Sequence, residues 1–327
     1  MASSAGLSRN GSSQFGAGLA FAVGAYGVWG LFPLYFAALM PANPFEVVVY
    51  RVVFSLAFCL ILITLTRGWR RVANVFREPR VLFGLALAGC LIFLNWEVFI
   101  LAVNANLVVE TSLGYFISPL VSVALGVIFF RERLRRVQWI AVALGLVAVV
   151  ILAFGLSIFT LAIPLVLGGS FGLYGMVKKR LGGRVNAIDG FAFETAWLLP
   201  VAIVQFFVVG QSTGLDIFRM GTGHAVLMVL SGVLTAIPLL MFAAGAKRLP
   251  LSVIGMIQFF TPVSSFLLGI YFFHEVMQPL QWAGFILVWI ALVALTVDML
   301  WAARQPGSQR GRTRGNRLEE INEPLPE

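Results

Sequence analysis

Charge is scarce in this chain. Asp, Glu, Lys and Arg make up 11% of its 327 residues, against about 25% in an ordinary soluble domain, and apolar residues make up 60%, against about 45–50%. Soluble domains of ordinary composition are therefore excluded. Cysteine and histidine are nearly missing as well, with two of each. Cys59 and Cys90 fall inside apolar runs, where a thiol behaves as a small hydrophobe, so neither a disulfide framework nor a thiolate metal site is expected. "HEVMQ" at His274 lacks the second histidine of a zinc-binding helix, and no phosphate loop with its Gly-Lys pair occurs. These gaps argue against an enzyme and against an ATP-driven pump within this chain, and no metal or cofactor is expected.

What the chain has is long apolar runs. A helix needs roughly 20 apolar residues to cross about 30 Å of hydrocarbon. With charge clusters and Gly, Pro and Asn breaks as boundaries, ten such segments are predicted, at 17–39, 46–66, 81–103, 107–130, 137–155, 157–177, 189–209, 224–245, 251–273 and 280–300. The runs are continuous rather than alternating, which selects helices over a barrel. The opening "MASSAGLSRNGSSQ" is polar and lacks the basic-then-apolar design of a leader, so the first span is expected to direct insertion. Residues 1–16 are read as a cytoplasmic tail. The closing segment, 302–327, is basic and then acidic without apolar periodicity, and is expected to be disordered and to contact lipid.

A formal charge of +9 raises the question of nucleic acid, and placement answers it. With the amino terminus inside, the cytoplasmic connections carry Arg67, Arg70, Arg71, Arg77 and Arg80, then Arg131, Arg133, Arg135 and Arg136, then Lys178, Lys179, Arg180 and Arg184, then Lys247 and Arg248. Arg9 and the arginines from Arg304 onward lie in the tails. Of the 23 basic residues only Arg51 and Arg219 fall elsewhere. This is the positive-inside pattern, so the charge reports topology and anionic lipid rather than nucleic acid, and both termini are predicted cytoplasmic.

The chain also repeats itself. "SPLVSVALGVIFFRERLRRVQW" (118–139) aligns on "TPVSSFLLGIYFFHEVMQPLQW" (261–282) at an offset of 143, and "GAYGVWG" (24–30) on "GSFGLYG" (169–175) at 145. An offset of 148 places Phe45 and Glu46 on Phe193 and Glu194. The reading is an all-α polytopic membrane protein of two five-helix repeats, 17–156 and 157–301. Five is odd, so the second repeat lies inverted. The loops agree: "RERLRR" has the uncharged-by-arginine counterpart "HEVMQP", whereas "MPANPFE" is answered by "KKRLGGRVNAIDGFAFE". Inverted repeats with a site at their interface are a recurrent transporter design.

An ionisable side chain at mid-depth costs at least about 2.5–3.5 kcal/mol, so each needs a partner or a wet cavity. Glu46, Arg51, Glu97, Glu110 and Glu194 form that short list. Arg51 lies about 7–8 Å and Glu97 about 9 Å from the outer ends of antiparallel neighbours, which predicts an Arg51–Glu97 pair, with Glu46 or Glu110 as alternatives. Such groups serve either as a structural ion-pair network or as proton and substrate carriers. Glu97 is the sharper candidate for a proton or a cationic substrate, and Arg51 for an anionic one. Tyr26, Trp29, Tyr35, Tyr50, Asn95, Trp96, Asn104, Tyr115, Tyr174 and Gln258 are candidates to line a substrate cavity, the alternative being interface anchors and interhelix bonds. Pro119, Pro238 and Pro262 are hinge candidates. Gly168 and Gly172 form a small-xxx-small pair that serves internal packing or a homodimer.

"NWEVFILAVNANLVVETSLGYFISPLVSVALGVIFFRERL" (95–134), "SGVLTAIPLLMFAAGAKRLPLSVIGMIQFFTPV" (231–263) and "GVWGLFPLYF" together resemble the RarD permeases, in the EamA branch of the drug/metabolite transporter superfamily. The resemblance covers about 16–301 and implies ten helices, two repeats and export of small molecules across the bacterial inner membrane, with chloramphenicol resistance attached to the family. It places Glu46, Arg51, Asn95, Trp96, Asn104, Glu110, Tyr115, Thr235, Pro238 and Gln258 at motif positions. Glu97 stands where the family pattern is apolar. The expectation is a secondary transporter exporting a small amphipathic metabolite or drug by alternating access, with proton coupling through Glu97 and Arg51. The alternative is a membrane sensor or assembly factor that binds without transport.

Overall fold

A computed structural model describes residues 3–104, 107–153, 157–272 and 279–303, and every regular element among them is a helix. The first half runs α1 (Ser3–Gly30), α2 (Phe32–Leu39), α3 (Pro44–Leu65), α4 (Trp69–Val75), α5 (Pro79–Asn104), α6 (Val108–Phe130) and α7 (Arg136–Ala153). The second runs α8 (Ile158–Leu181), α9 (Ala187–Ser212), a 3-10 turn (Asp216–Phe218), α10 (Thr222–Arg248), α11 (Leu251–Gln258), α12 (Phe260–Tyr271) and α13 (Pro279–Ala303). Helices are the outcome these sequences must have in lipid, where an unpaired backbone N–H or C=O finds no water. Eight stretches of the described residues are long and apolar enough to cross a membrane, from Gln14–Leu39 to Thr222–Arg248.

Where the helices start and break follows from single residues. Asn43 caps α3 by accepting from the Phe45 N–H at 3.0 Å, and Asn186 caps α9 by accepting from the Ile188 N–H at 3.1 Å. Pro44 takes the first helical position of α3, where its missing N–H costs nothing. The first predicted span is interrupted at Leu31, ahead of Pro33, and the ninth at Phe259, ahead of Pro262. At the first of these breaks the Pro33 ring crowds the carbonyl four residues back and removes its donor. Pro119 and Pro238, expected to kink or break their spans, instead lie inside the continuous helices α6 and α10. The segment read as an amino-terminal tail continues α1 back to Ser3.

The two caps stand 143 residues apart, the offset of the later matching block, whereas Phe45 and Glu46 match Phe193 and Glu194 at 148. Counted from the caps, Arg51 and Glu194 each lie eight residues, about two turns, into their helices, and Glu46 and Asp189 each lie three.

Packing surrounds a core of α1, α3, α5, α8, α9 and α10, with Tyr26, Tyr174, Phe191 and Phe242 fully buried. The α3 helix packs on α9 and α10, α5 on α8 and α9, α1 on α10 and α12, α8 on α6, α6 on α11, and α7 on α13. Close approach depends on absent side chains. A Cβ on Gly232 of α10 would lie 2.3 Å from the Phe54 carbonyl carbon of α3, and one on Gly89 of α5 would lie 3.0 Å from the Glu194 carbonyl oxygen of α9. Gly168 and Gly172 both face α6 within the chain, against Ile117 and Val121. Outward, Val, Leu, Ile and Phe are widely exposed, as on helices whose solvent is lipid.

Candidate functional site

Two polar centres interrupt this apolar core. The first is built on Arg51, which α3 holds 7% exposed. Its Nε donates to the Thr235 hydroxyl of α10 at 2.9 Å, and its guanidinium lies 4.5 Å from the Trp96 ring centre of α5 and 5.7 Å from that of Phe36 in α2. A planar cation between ring faces gains from their quadrupoles in a dry setting. Among the described residues no carboxylate forms a salt bridge with it. The predicted Arg51–Glu97 pair is therefore corrected: Glu97 accepts from Gln205 Nε2 of α9 at 3.0 Å. Pairing by depth left direction out of account. Neighbouring residues on a helix point about 100° apart, so Trp96 meets Arg51 and Glu97 turns towards α9.

The second centre is the pair of Lys178 on α8 and Glu194 on α9, with Nζ 2.5 Å from Oε1 and side-chain exposures of 4% and 0%. Tyr174 donates its hydroxyl to Glu194 Oε2 at 3.2 Å. Lys178 follows Tyr174 by four residues, on the same face of α8. Two charges so deeply withdrawn from water are tolerated because they neutralise each other and the tyrosine satisfies the remaining oxygen.

Between the centres lies a cluster of rings. Trp29 packs edge-on against Tyr26 at 5.3 Å and Phe171 at 5.4 Å, and Phe242 stacks on Tyr174 at 5.8 Å. On α10, Phe242 follows Thr235 by seven residues, about 10 Å. The Tyr26 hydroxyl is buried here without a hydrogen-bond partner among the described residues. Such a group is unusual and marks a place where a polar guest would be welcome.

The remaining predicted residues divide by what they touch. Asn95 donates to the Leu167 carbonyl at 2.8 Å and the Ser170 hydroxyl at 3.0 Å, tying α5 to α8. Gln258 donates to the Ser118 hydroxyl and accepts from that of Ser122 at 3.3 Å, tying α11 to α6. Tyr35 donates to the Leu227 carbonyl at 2.9 Å, Tyr50 stacks on Phe54 at 5.8 Å, and Tyr115 is 6.3 Å from Phe99 and 40% exposed. Glu46 meets neither Arg51 nor a base. Its two oxygens accept from the backbone N–H groups of Asp216 at 2.8 Å and Ile217 at 3.2 Å, while Asp216 accepts from the Asn43 N–H at 2.8 Å. The side chains of Asn104, Glu110 and Pro262 lie outside the described residues.

A similar clamp closes the opposite end. Glu132, beyond α6, accepts from the N–H groups of Leu251 at 2.7 Å and Ser252 at 2.8 Å, which opens α11 on a carboxylate. Lys179 adds a bond to the Leu249 carbonyl at 2.5 Å and lies 3.7 Å from Glu132. Arg71 pairs with Asp189 at 3.0 Å on the same side. Of the residues at these centres, sequence reasoning named Tyr26 as a cavity candidate and missed Phe171, Phe242, Lys178 and Glu132. Lys178 was read as a marker of topology alone, although its four-residue spacing from Tyr174 placed it on the inward face.

Helical in every regular element of the described residues, with several membrane-length spans and charged side chains buried between them, the chain has the architecture of a multi-pass integral membrane protein. The comparisons agree on the family. The EamA-like transporter family matches residues 16–154. Protein RarD of Streptomyces exfoliatus is 45% identical over 288 residues, covering 88% of this chain and 90% of that protein. Protein RarD of Escherichia coli K12 is 36% identical, covering 88% and 96%. A protein of Pseudomonas aeruginosa named chloramphenicol-sensitive protein RarD is 31% identical, covering 85% and 93%. A crystal structure only 17% identical shares the fold, with a TM-score of 0.64 over 88% of this chain and 97% of the other. The chain belongs to the EamA-like transporters and, among them, to the RarD-type permeases.

Proposed function

We propose that this permease is a secondary transporter of the bacterial inner membrane that exports a small amphipathic metabolite or drug by alternating access. The observation that carries the reading is the ring cluster between two buried charged centres. Rings receive the apolar body of a solute, the Tyr26 hydroxyl receives a polar group, and Arg51 at one end and Lys178 with Glu194 at the other meet charge as each end opens. The RarD relative whose name refers to chloramphenicol supports an amphipathic aromatic solute of drug size.

The reading includes ten spans in two inverted repeats with both termini cytoplasmic, so that the Arg51 end faces outward and the Lys178 end inward. The packing pattern supports the exchange of halves. The α1 helix packs on α10 and α12 of the second half, and α8, its counterpart, packs on α5 and α6 of the first. The α3–α10 contact through Gly232 is likewise answered by the α9–α5 contact through Gly89. Two halves that trade places give inward-open and outward-open states of similar energy.

Coupling to protons is assigned to the buried carboxylates, with Glu194 ahead of Glu97 because it sits against the ring cluster through Tyr174. Proteoliposomes with an imposed pH gradient and labelled chloramphenicol test both steps. Flux that follows the gradient in the wild type and ignores it in Glu194→Gln is expected. Flux indifferent to the gradient removes the coupling, and binding without flux removes the transporter in favour of a sensor.

A further inference from the structure

At the Lys178 end, α8, α9 and α10 enclose a cavity of about 170 Å³ lined by Lys178, Gly182, Asn186, Ala244, Lys247 and Arg248, among others. Its charge is uneven in an informative way. Glu194 is engaged by Lys178, and Asp189 pairs with Arg71 through one oxygen while its other oxygen is buried without a hydrogen-bond partner among the described residues, so both nearby carboxylates already have a cation. Lys247 is exposed, and among the described residues Arg248 is bonded only to neutral oxygens, those of Gln14 at 3.2 Å and the Ala244 carbonyl at 2.8 Å. The capped amino terminus of α9 at Asn186 adds the positive end of a helix of 26 residues.

Repetition does not account for this charge. At an offset of 143 the counterparts of Lys247 and Arg248 are Asn104 and Ala105, and at 145 that of Lys178 is Pro33. Size limits what can enter. An apolar cavity of about 150 Å³ takes a benzene-sized molecule, and drug-sized sites run to about 300–1,000 Å³. The cavity therefore suits one end group rather than a whole solute.

We propose that this cavity is an anion-binding vestibule for the carboxylate or phosphate end of an amphipathic organic anion, with Lys247 and Arg248 at its rim and Lys178 as its floor. The inference rests on the transport reading for its purpose, and it names the substrate class. At the floor the anion competes with Glu194 for the Lys178 ammonium: as one carboxylate replaces the other at the buried cation, Glu194 takes up a proton from vestibule water, so no unpaired charge is left, and it still accepts from Tyr174. An inner-leaflet phospholipid presents the same chemistry through its head group.

The full chain in phosphatidylcholine nanodiscs, carrying Ala244→Cys with Cys59→Ala and Cys90→Ala, reads the site directly. Modification by an anionic methanethiosulfonate sulfonate is compared with that by its cationic trimethylammonium analogue. The anionic reagent is expected to react at least about threefold faster, and Lys247→Gln with Arg248→Gln to abolish the preference. Inorganic phosphate should slow the reaction, and severalfold more strongly in Glu194→Gln, where the competitor for Lys178 is gone. Slowing by phosphate assigns a soluble anion, and slowing only in discs containing phosphatidylglycerol assigns a lipid. Equal rates for the two reagents, or no slowing by either anion, overturn the vestibule, and unchanged protection in Glu194→Gln overturns the exchange at Lys178. Labelling requires no flux, so a charge preference without transport removes the transport reading alone.

Discussion

Arg51 and Glu194 occupy the same place in their helices and solve the same problem in opposite ways. Each stands eight residues beyond an asparagine cap, buried in the core. Glu194 is neutralised by a lysine and held by a tyrosine, so its centre is electrically closed. Arg51 is held by one hydroxyl and two ring faces, so its charge remains available. Burial alone therefore does not tell how a charge can act. Where the compensation is another charge, a proton or a change of partner must release it; where the compensation is neutral and polarisable, the charge stays available in place.

That contrast is open to attack by substitution. Glu194→Ala leaves Lys178 buried without its partner and is expected to cost about 3–5 kcal/mol, seen as a large fall in the unfolding midpoint in detergent. Replacing both members by apolar residues of similar volume should restore most of that loss. Gly232→Ala forces a Cβ against α3 backbone and is expected to cost about 1–3 kcal/mol, more than Gly89→Ala, whose nearest contact is looser. Arg51→Met should cost only about 1–2 kcal/mol, the value of one hydrogen bond and a cation–ring contact, yet abolish flux in vesicles. Tyr174→Phe removes one bond to Glu194 and is expected to cost about 1 kcal/mol. Should Arg51→Met destabilise as severely as Glu194→Ala, the distinction between the two centres fails.

Much of the fold could be read from residue order because the relevant signals are local. Continuous apolar runs mark spans, Asn43 and Asn186 mark helix starts, and basic clusters mark loops. Interhelix partners are different, since they depend on the direction in which a side chain leaves its helix. Depth placed Glu97 opposite Arg51, and a turn of about 100° put Trp96 there instead. The same limit hid Glu46, which caps the turn at Asp216 rather than joining an ion pair. Lys178 was legible only as one of three basic residues closing a span, because a lysine near a helix end ordinarily extends towards water. Tyr174 and Glu194 hold it inward.

The two ends, unlike the two charged centres, are closed by the same device. At the Arg51 end a carboxylate from α3 holds the turn before α10, and at the Lys178 end a carboxylate beyond α6 holds the start of α11. Each clamp crosses from the first half of the chain to the second, so the proposed alternation requires each to release for its end to open. Glu132→Gln keeps the shape of its clamp and removes the charge, and a loss of about 1 kcal/mol or less is expected, with a shift in population towards an open Lys178 end.

Alternation itself is tested most directly by two distances in one membrane-embedded protein. Spin labels at Met40 and Gln211 report the Arg51 end, and labels at Arg133 and Lys247 report the Lys178 end. As a solute that the vesicle assay shows to be carried is added, one pair is expected to separate while the other draws together. Two pairs that lengthen together, or that both stay fixed while flux proceeds, would contradict the account.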